Sequence, residues 1–182
     1  MQTEIIIAGF GGQGVLFAGQ LLSYSAMDYG LEVTWIPSYG PEMRGGTANC
    51  TVIISDEEIG APMVSHPKVL IAFNRPSLDK YESVVKPGGL LVVNTSMVDR
   101  LVKRNDLTVV NVPASEIAER IGDKRLTNMV LLGALLVNLP VLPVEALERA
   151  ISEHTPTRHQ RFIPLNLRAI REGAGIIVEK VK

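Results

Sequence analysis

Six residues near the amino terminus, Gly9-Phe10-Gly11-Gly12-Gln13-Gly14, have the Gly-x-Gly-x-x-Gly spacing that lets backbone close around a phosphate. The first glycine permits a tight turn, the second allows close approach, and the third lets a helix pack on a strand. A helix starting at once would aim free N–H groups and a positive dipole end at the anion. The same six residues equally suit a strand-to-helix turn that holds nothing. A second glycine-rich segment, Ser38-Tyr39-Gly40-Pro41-Glu42-Met43-Arg44-Gly45-Gly46-Thr47-Ala48-Asn49, carries one guanidinium among small residues. Arg44 could pair bidentately with a phosphate or carboxylate. It could also pair with Glu42, contact another subunit, or stand solvated on a rigid loop.

The other reactive side chains are sparse. Cys50 is the sole cysteine, so the chain holds no internal disulfide, no Cys-x-x-Cys pair and no four-thiolate cluster. It falls in a β-rich stretch and reads as a small buried apolar residue. His66 stands in a Ser-His-Pro turn, while His154 and His159 bracket a candidate hinge at Thr155–His159; none has metal-ligand spacing. Asn128 and Asn138 fall in or beside an apolar helix and read as satisfied polar groups of a core or interface. No Ser–His–Asp set or carboxylate pair follows from the spacing, and no catalytic residue is assigned.

A dinucleotide site makes a further demand. An acidic residue should end the second strand, about 20 residues past the glycine loop, to hold the ribose hydroxyls. That strand ends Ile36-Pro37-Ser38, and Glu32 lies at its beginning. Plain NAD(P) binding is therefore disfavoured.

The elements that must position these loops follow from hydrophobic periodicity. Ile5–Ala8 reads as a buried strand, and apolar residues at Val15, Ala18, Gly19, Leu22, Ala26 and Tyr29 share one helical face that stops at Gly30. Val33–Ile36 is the next strand. Strand, glycine loop, helix and strand predict the first half of a parallel doubly wound sheet. Thr47–Ser55 is β-rich, and Val69–Phe73, Leu90–Asn94 and Thr108–Val112 are further strands. Ser77–Val84 is a short helix with Ser77 as a candidate cap, and Pro113–Ile121 is another. Asn128–Leu139 is apolar nearly all round and reads as a buried helix. Pro143 opens a helix bearing Val144, Leu147 and Ile151, and Arg161–Gly173 forms the last. The expected fold is Rossmann-like α/β, a mostly parallel sheet with helices on both faces and a helical C-terminal region. It is expected as a single domain over residues 1–182, with a sheet core at 1–125 and helices at 126–182.

Bulk properties remove several functions. With a formal net charge of −1, no single-sign field exists to hold nucleic acid. Aromatic content of 5% is too low for a base-stacking surface. The longest apolar run, Met129–Leu136, falls far short of a membrane span. Met1-Gln2-Thr3-Glu4 lacks a basic leader segment. A soluble cytoplasmic protein is expected.

Gly9–Gly14 followed by Ser38–Gly46 closely resembles the γ subunits of 2-oxoacid:ferredoxin oxidoreductases. Glu42-Met43-Arg44-Gly45-Gly46-Thr47-Ala48-Asn49 looks most like the 2-oxoglutarate-type enzymes. Ser77-Leu78-Asp79-Lys80-Tyr81 and Pro87-Gly88-Gly89 also resemble that family, and the likeness covers nearly the whole chain. The resemblance implies a multi-subunit enzyme that decarboxylates a 2-oxoacid on thiamine diphosphate. It would pass electrons through iron–sulfur clusters to ferredoxin and hand the acyl group to coenzyme A. It further implies that thiamine diphosphate, magnesium and the clusters sit on partner α, β and δ (ferredoxin-like) subunits. This chain agrees, since Gly122-Asp123 is followed by Lys124 and no Gly-Asp-Gly diphosphate motif occurs. Its own role would be structural, with Gly9, Gly11, Gly12, Gln13, Gly14, Ser38, Tyr39, Gly40, Arg44, Gly45 and Gly46 as candidates for part of the coenzyme A site. The alternatives are a freestanding NAD(P)-dependent oxidoreductase and a non-catalytic nucleotide-binding module.

Overall fold

A computed structural model describes residues 1–39 and 46–178 of the chain. Ile5, Ile6, Ile7 and Ala8 are buried from both sides and form the centre of β1 (Gln2–Phe10). Continuous apolar strands belong in the interior of a two-sided sheet. The elements that follow are α1 (Val15–Asp28), β2 (Glu32–Tyr39), β3 (Thr47–Ser55), β4 (Val69–Ala72), α2 (Arg75–Tyr81), β5 (Leu90–Asn94), β6 (Thr108–Val112), α3 (Ala114–Ile121), α4 (Thr127–Asn138), α5 (Val144–His154) and α6 (Ile163–Ala174). Single 3-10 segments cover Glu82–Val84, Lys124–Leu126 and Thr157–Phe162.

Six strands form one sheet in the order β2-β3-β1-β4-β5-β6. The β1–β4, β4–β5 and β5–β6 pairs are parallel, as expected. The opening unit departs from the doubly wound expectation. β1 and β2 run the same way but are not neighbours, because β3 lies between them, antiparallel to both. Composition explains the choice. β3 buries Cys50, Val52, Ile53 and Ile54 and belongs inside the sheet. β2 carries Pro37, which cannot donate to a second ladder, and exposed Glu32 and Ser38, so it takes the edge.

The sheet has unequal faces. One face, with Ile5, Ile7, Val52, Ile71 and Val92, packs into the main core with α1, α3, α4, α5 and α6. The other, with Ile6, Ala8, Leu70, Ala72, Leu91 and Val93, is covered by Leu78 of α2, Val85 and Val98. α4 is buried continuously from Thr127 to Leu136, as its all-round apolar sequence predicts. It touches α6 through backbone: a Cβ on Gly133 would collide with the Ile170 carbonyl, and one on Gly173 with the Val130 carbonyl.

Helix ends refine the expected boundaries. Gly30 is left-handed at φ 87° just past α1, as its stop position requires. α2 begins two residues before Ser77, because Asn74 is the cap and its side chain accepts a hydrogen bond from the Ser77 amide at 3.0 Å. The expected last helix begins as a 3-10 segment and turns α-helical only at Ile163.

Candidate functional site

The chain leaves β1 for α1 on one face of the sheet and leaves β4 for α2 on the other. The crevice outside the carboxyl ends of β1 and β4 is thus the switch point where open α/β sheets hold ligands. Gly9–Gly14 closes this crevice. Gly12 and Gly14 are left-handed, at φ 94° and φ 75°, which only glycine adopts without strain. A Cβ on Gly9 would lie 2.9 Å from the Phe73 Cβ, so this position is closed to any side chain. No side chain caps α1, so its first N–H groups have no side-chain cap to accept from them.

Gln13 crosses the crevice. Its Oε1 accepts from the Phe10 amide at 2.7 Å and from Asn74 Nδ2 at 3.0 Å. Asn94, at the end of β5, donates to the Phe73 carbonyl at 3.1 Å and to Ser115 Oγ at 3.0 Å. Asn74 and Asn94 are buried, so three neutral amides stitch the carboxyl edge together without placing a charge there. The sequence reading missed Asn74 and Asn94. Each directly follows a buried apolar run, and that ending was the available signal.

The two glycine segments meet. The Gly11 amide donates to the Gly46 carbonyl at 2.9 Å, continuing the ladder that pairs Phe10 with Thr47. Ser38 and Tyr39 lie one strand further out, paired with Asn49 and Ala48. Gly40, Arg44 and Gly45 lie outside the described residues.

From below, α4 holds the loop. Asn128 Nδ2 donates to the Gly14 carbonyl at 3.2 Å, and Asn128 Oδ1 accepts from the Met129 amide at 2.9 Å. Asn138 is likewise satisfied, donating to Ala134 and Ile176 carbonyls and accepting from the Val178 amide. Both asparagines are structural polar groups, as read from the sequence.

Two hollows flank Gly12. One, of about 360 Å³, runs from Gly12, Gly14 and Phe17 to Phe162, Leu165 and Asn166. The other, of about 460 Å³, is lined by Gln13, Ser96, Ser115 and Lys124. Arg125 borders both. Its guanidinium pairs with Asp123 at 2.6 Å, which raises the Arg125 pKa and lowers that of Asp123.

Cys50 is closed to solvent, behind Gly19 of α1. Burial pushes its thiol up to about 11, against the smaller opposing effects of the Trp35 indole and the Gly19 backbone. His154 lies 2.7 Å from Asp28 and stacks on Tyr24 at 4.4 Å, which ties the end of α5 to α1.

Residues 4–176 match the protein family described as pyruvate ferredoxin/flavodoxin oxidoreductase. The chain belongs to that family. The 2-oxoglutarate synthase subunit KorC of Methanothermobacter marburgensis is 39% identical, with all of both chains covered. The ketoisovalerate oxidoreductase subunit VorA of the same organism is 40% identical over 95% of this chain. This family member spans only 36% of that longer relative. The γ subunit of a keto/oxoacid ferredoxin oxidoreductase from Geobacter sulfurreducens superimposes with a TM-score of 0.85 at 31% identity, covering 97% of this chain and 96% of that one. A 2-oxoglutarate:ferredoxin oxidoreductase from Magnetococcus marinus, solved with 2-oxoglutarate, coenzyme A and succinyl-CoA bound, also gives 0.85, at 25% identity. There the match covers 96% of this chain and 31% of that one. Among the described residues no helix is long and apolar enough to cross a membrane.

Proposed function

We propose that this chain is the γ component of a cytoplasmic 2-oxoacid:ferredoxin oxidoreductase, and that the edge bearing Gly9–Gly14 and Ser38–Gly46 supplies phosphate contacts to coenzyme A. The observation that supports this is the Gly11–Gly46 hydrogen bond, which joins the first glycine segment to the end of the second at the carboxyl end of β1. Backbone N–H groups at a helix start favour an anion, and the neutral amides beneath leave that preference unopposed. Arg44 would add the charge, and Ser38, Tyr39, Gly40 and Gly45 would shape its loop. The Glu42–Asn49 sequence favours 2-oxoglutarate as substrate.

Redox chemistry would reside on partners. Thiamine diphosphate with magnesium would supply the decarboxylation and iron–sulfur clusters the single-electron steps, on α, β and ferredoxin-like δ subunits that deliver electrons to ferredoxin. The residues here do not fit a cluster, which needs several thiolates. The chain has one cysteine, and it is buried with a raised pKa.

A freestanding NAD(P) enzyme fits less well. β3 displaces β2 from β1 by one strand, about 4.8 Å, and Glu32 lies at the far end of β2. Among the described residues of β2, no carboxylate stands at the carboxyl end, where the fingerprint places the ribose.

The test uses the assembled enzyme. Arg44→Ala should raise the KM for coenzyme A roughly tenfold to a hundredfold, the range for a lost charge-assisted hydrogen bond. Decarboxylation of the 2-oxoacid should persist. An unchanged KM removes Arg44 from this role. NAD-dependent oxidation by the chain alone would replace the proposal with the freestanding reading.

A further inference from the structure

Away from the glycine loop, one group of metal-ligating side chains converges among the described residues: Asp28, Glu153 and His154. None of the three lines either hollow beside Gly12. Asp28 ends α1 and His154 ends α5, and the contact between them brings the two helix ends together. The last carbonyls of a helix carry partial negative charge, so a place where two such ends meet favours a cation. No backbone N–H caps α5 among the described residues. Spacing along the sequence could not show this group, because Asp28 lies 126 residues before His154.

The donor set is mixed, one imidazole and two carboxylates. His154 Nε2 lies 2.7 Å from Asp28 Oδ2, and the three donor atoms all lie within 4.8 Å of one another. A tetrahedral ion bound at about 2.1 Å spaces its ligands about 3.4 Å apart, so small side-chain rotations seat one. The imidazole is already oriented. The Tyr24 ring stacks on it with centroids 4.4 Å apart and planes 15° apart, and Tyr24 Oη accepts from Gln20 Nε2 at 3.0 Å. Neither carboxylate pairs with a lysine or arginine among the described residues; the ion-pair partner of Asp28 is His154. A dication would neutralise both.

We infer that Asp28, Glu153 and His154 bind a zinc-class dication that clips the end of α5 to the end of α1. One imidazole nitrogen with two carboxylate oxygens suits zinc or cobalt(II), whereas magnesium and calcium prefer oxygen ligands alone. The ion replaces the Asp28–His154 hydrogen bond: Nε2 gives up its proton and turns its lone pair to the metal. Three protein ligands leave a fourth position to water. The clip is independent of the phosphate edge proposed above. It fixes the last turn of α5, from which the chain runs through Thr155 into the 3-10 segment Thr157–Phe162.

The full chain, freed of metal with a chelator, is titrated with zinc ions, and cobalt(II) serves as the spectroscopic probe of coordination. One zinc per chain should bind and raise the thermal midpoint, because the ion binds the folded state. Magnesium should do neither. His154→Ala should weaken zinc roughly tenfold or more, the least that loss even of a supporting group costs a metal site, and should abolish the thermal shift. That change also removes the bond to Asp28, so Glu153→Gln is the cleaner variant. Glu153 is exposed and makes no hydrogen bond or ion pair among the described residues, so the fold keeps every contact while zinc should again weaken roughly tenfold. His66→Ala and His159→Ala should bind zinc as the unsubstituted chain does. The inference is overturned if the chain does not take up one zinc, if either Glu153→Gln or His154→Ala leaves the affinity unchanged, or if the affinity follows His66 or His159 instead.

Discussion

Asn128 Nδ2 and the Gly14 carbonyl, 114 residues apart in sequence, are joined by a 3.2 Å hydrogen bond. The bond fixes the glycine loop from beneath through a buried helix. It gives Gly14 two separate reasons to lack a side chain. The residue is left-handed at φ 75°, and a Cβ there would lie 2.5 Å from Asn128 Nδ2.

Gly14→Ala should therefore destabilise the chain by about 1–2 kcal/mol for the backbone conformation, with a further cost from the collision. Urea unfolding measures the sum. In an Asn128→Ala background the collision disappears and the backbone cost remains. The two changes should thus be non-additive by about 1 kcal/mol, as expected for residues in contact. Additive effects would show that the amide does not support the loop.

Gly133→Ala tests a different constraint. Its Cβ would meet the Ile170 carbonyl, which is main chain and has no rotamer to escape into. Overpacking of cores costs about 1–3 kcal/mol, and more when backbone must move. Thermal unfolding should place this variant well below Gly60→Ala, whose added methyl meets nothing within 4 Å.

Acid stability should depend on Glu82. Burial opposes its ionisation, but the Arg100 guanidinium and the amides of Lys103 and Arg104 outweigh that and hold its pKa below the usual glutamate value. A depressed pKa contributes stability that is present above the unfolded value, near 4.5, and lost as pH falls through the folded one. Glu82→Gln should flatten the stability profile below about pH 4.5 and lower stability at pH 7 by roughly 1–3 kcal/mol. Urea midpoints measured from pH 3 to 8 will show this. A profile parallel to that of the unsubstituted chain would refute it.

Much of the fold was legible because its strands are continuous apolar runs and its helices carry one-sided patterns. The placement of β3 was not. Its residues alternate imperfectly, and nothing local says whether an apolar strand pairs with the strand before it or the one after next. That choice is tertiary, set by which strand can be buried from both sides, and Pro37 with Glu32 disqualifies β2. The glycine segments could be recognised individually, and their contact through Gly11 and Gly46 required the sheet order. Arg125 could not be linked to the loop from the sequence, since it borders the same hollows from a 3-10 turn over a hundred residues away.

Cys50 should behave as a reporter of opening. With its thiol pushed up to about 11 and no solvent contact, it should resist thiol reagents at pH 8 while the chain is folded. Labelling in mild urea should follow the unfolded fraction. Its raised pKa also removes stability as pH rises from about 9 towards 11, because only the unfolded chain then releases the proton. Fast labelling of the native chain would contradict the packing around Gly19.

The backbone contact between α4 and α6 reaches beyond stability. α4 carries Asn128, beneath the glycine loop, and α6 carries Leu165 and Asn166, in the opposite wall of the cleft. Two missing methyl groups clamp these helices at a fixed spacing, so the gap across the hollow beside Gly12 is ruled by the absence of side chains some distance from it. The dimensions of such a recess would be inherited through two glycines that never touch what enters.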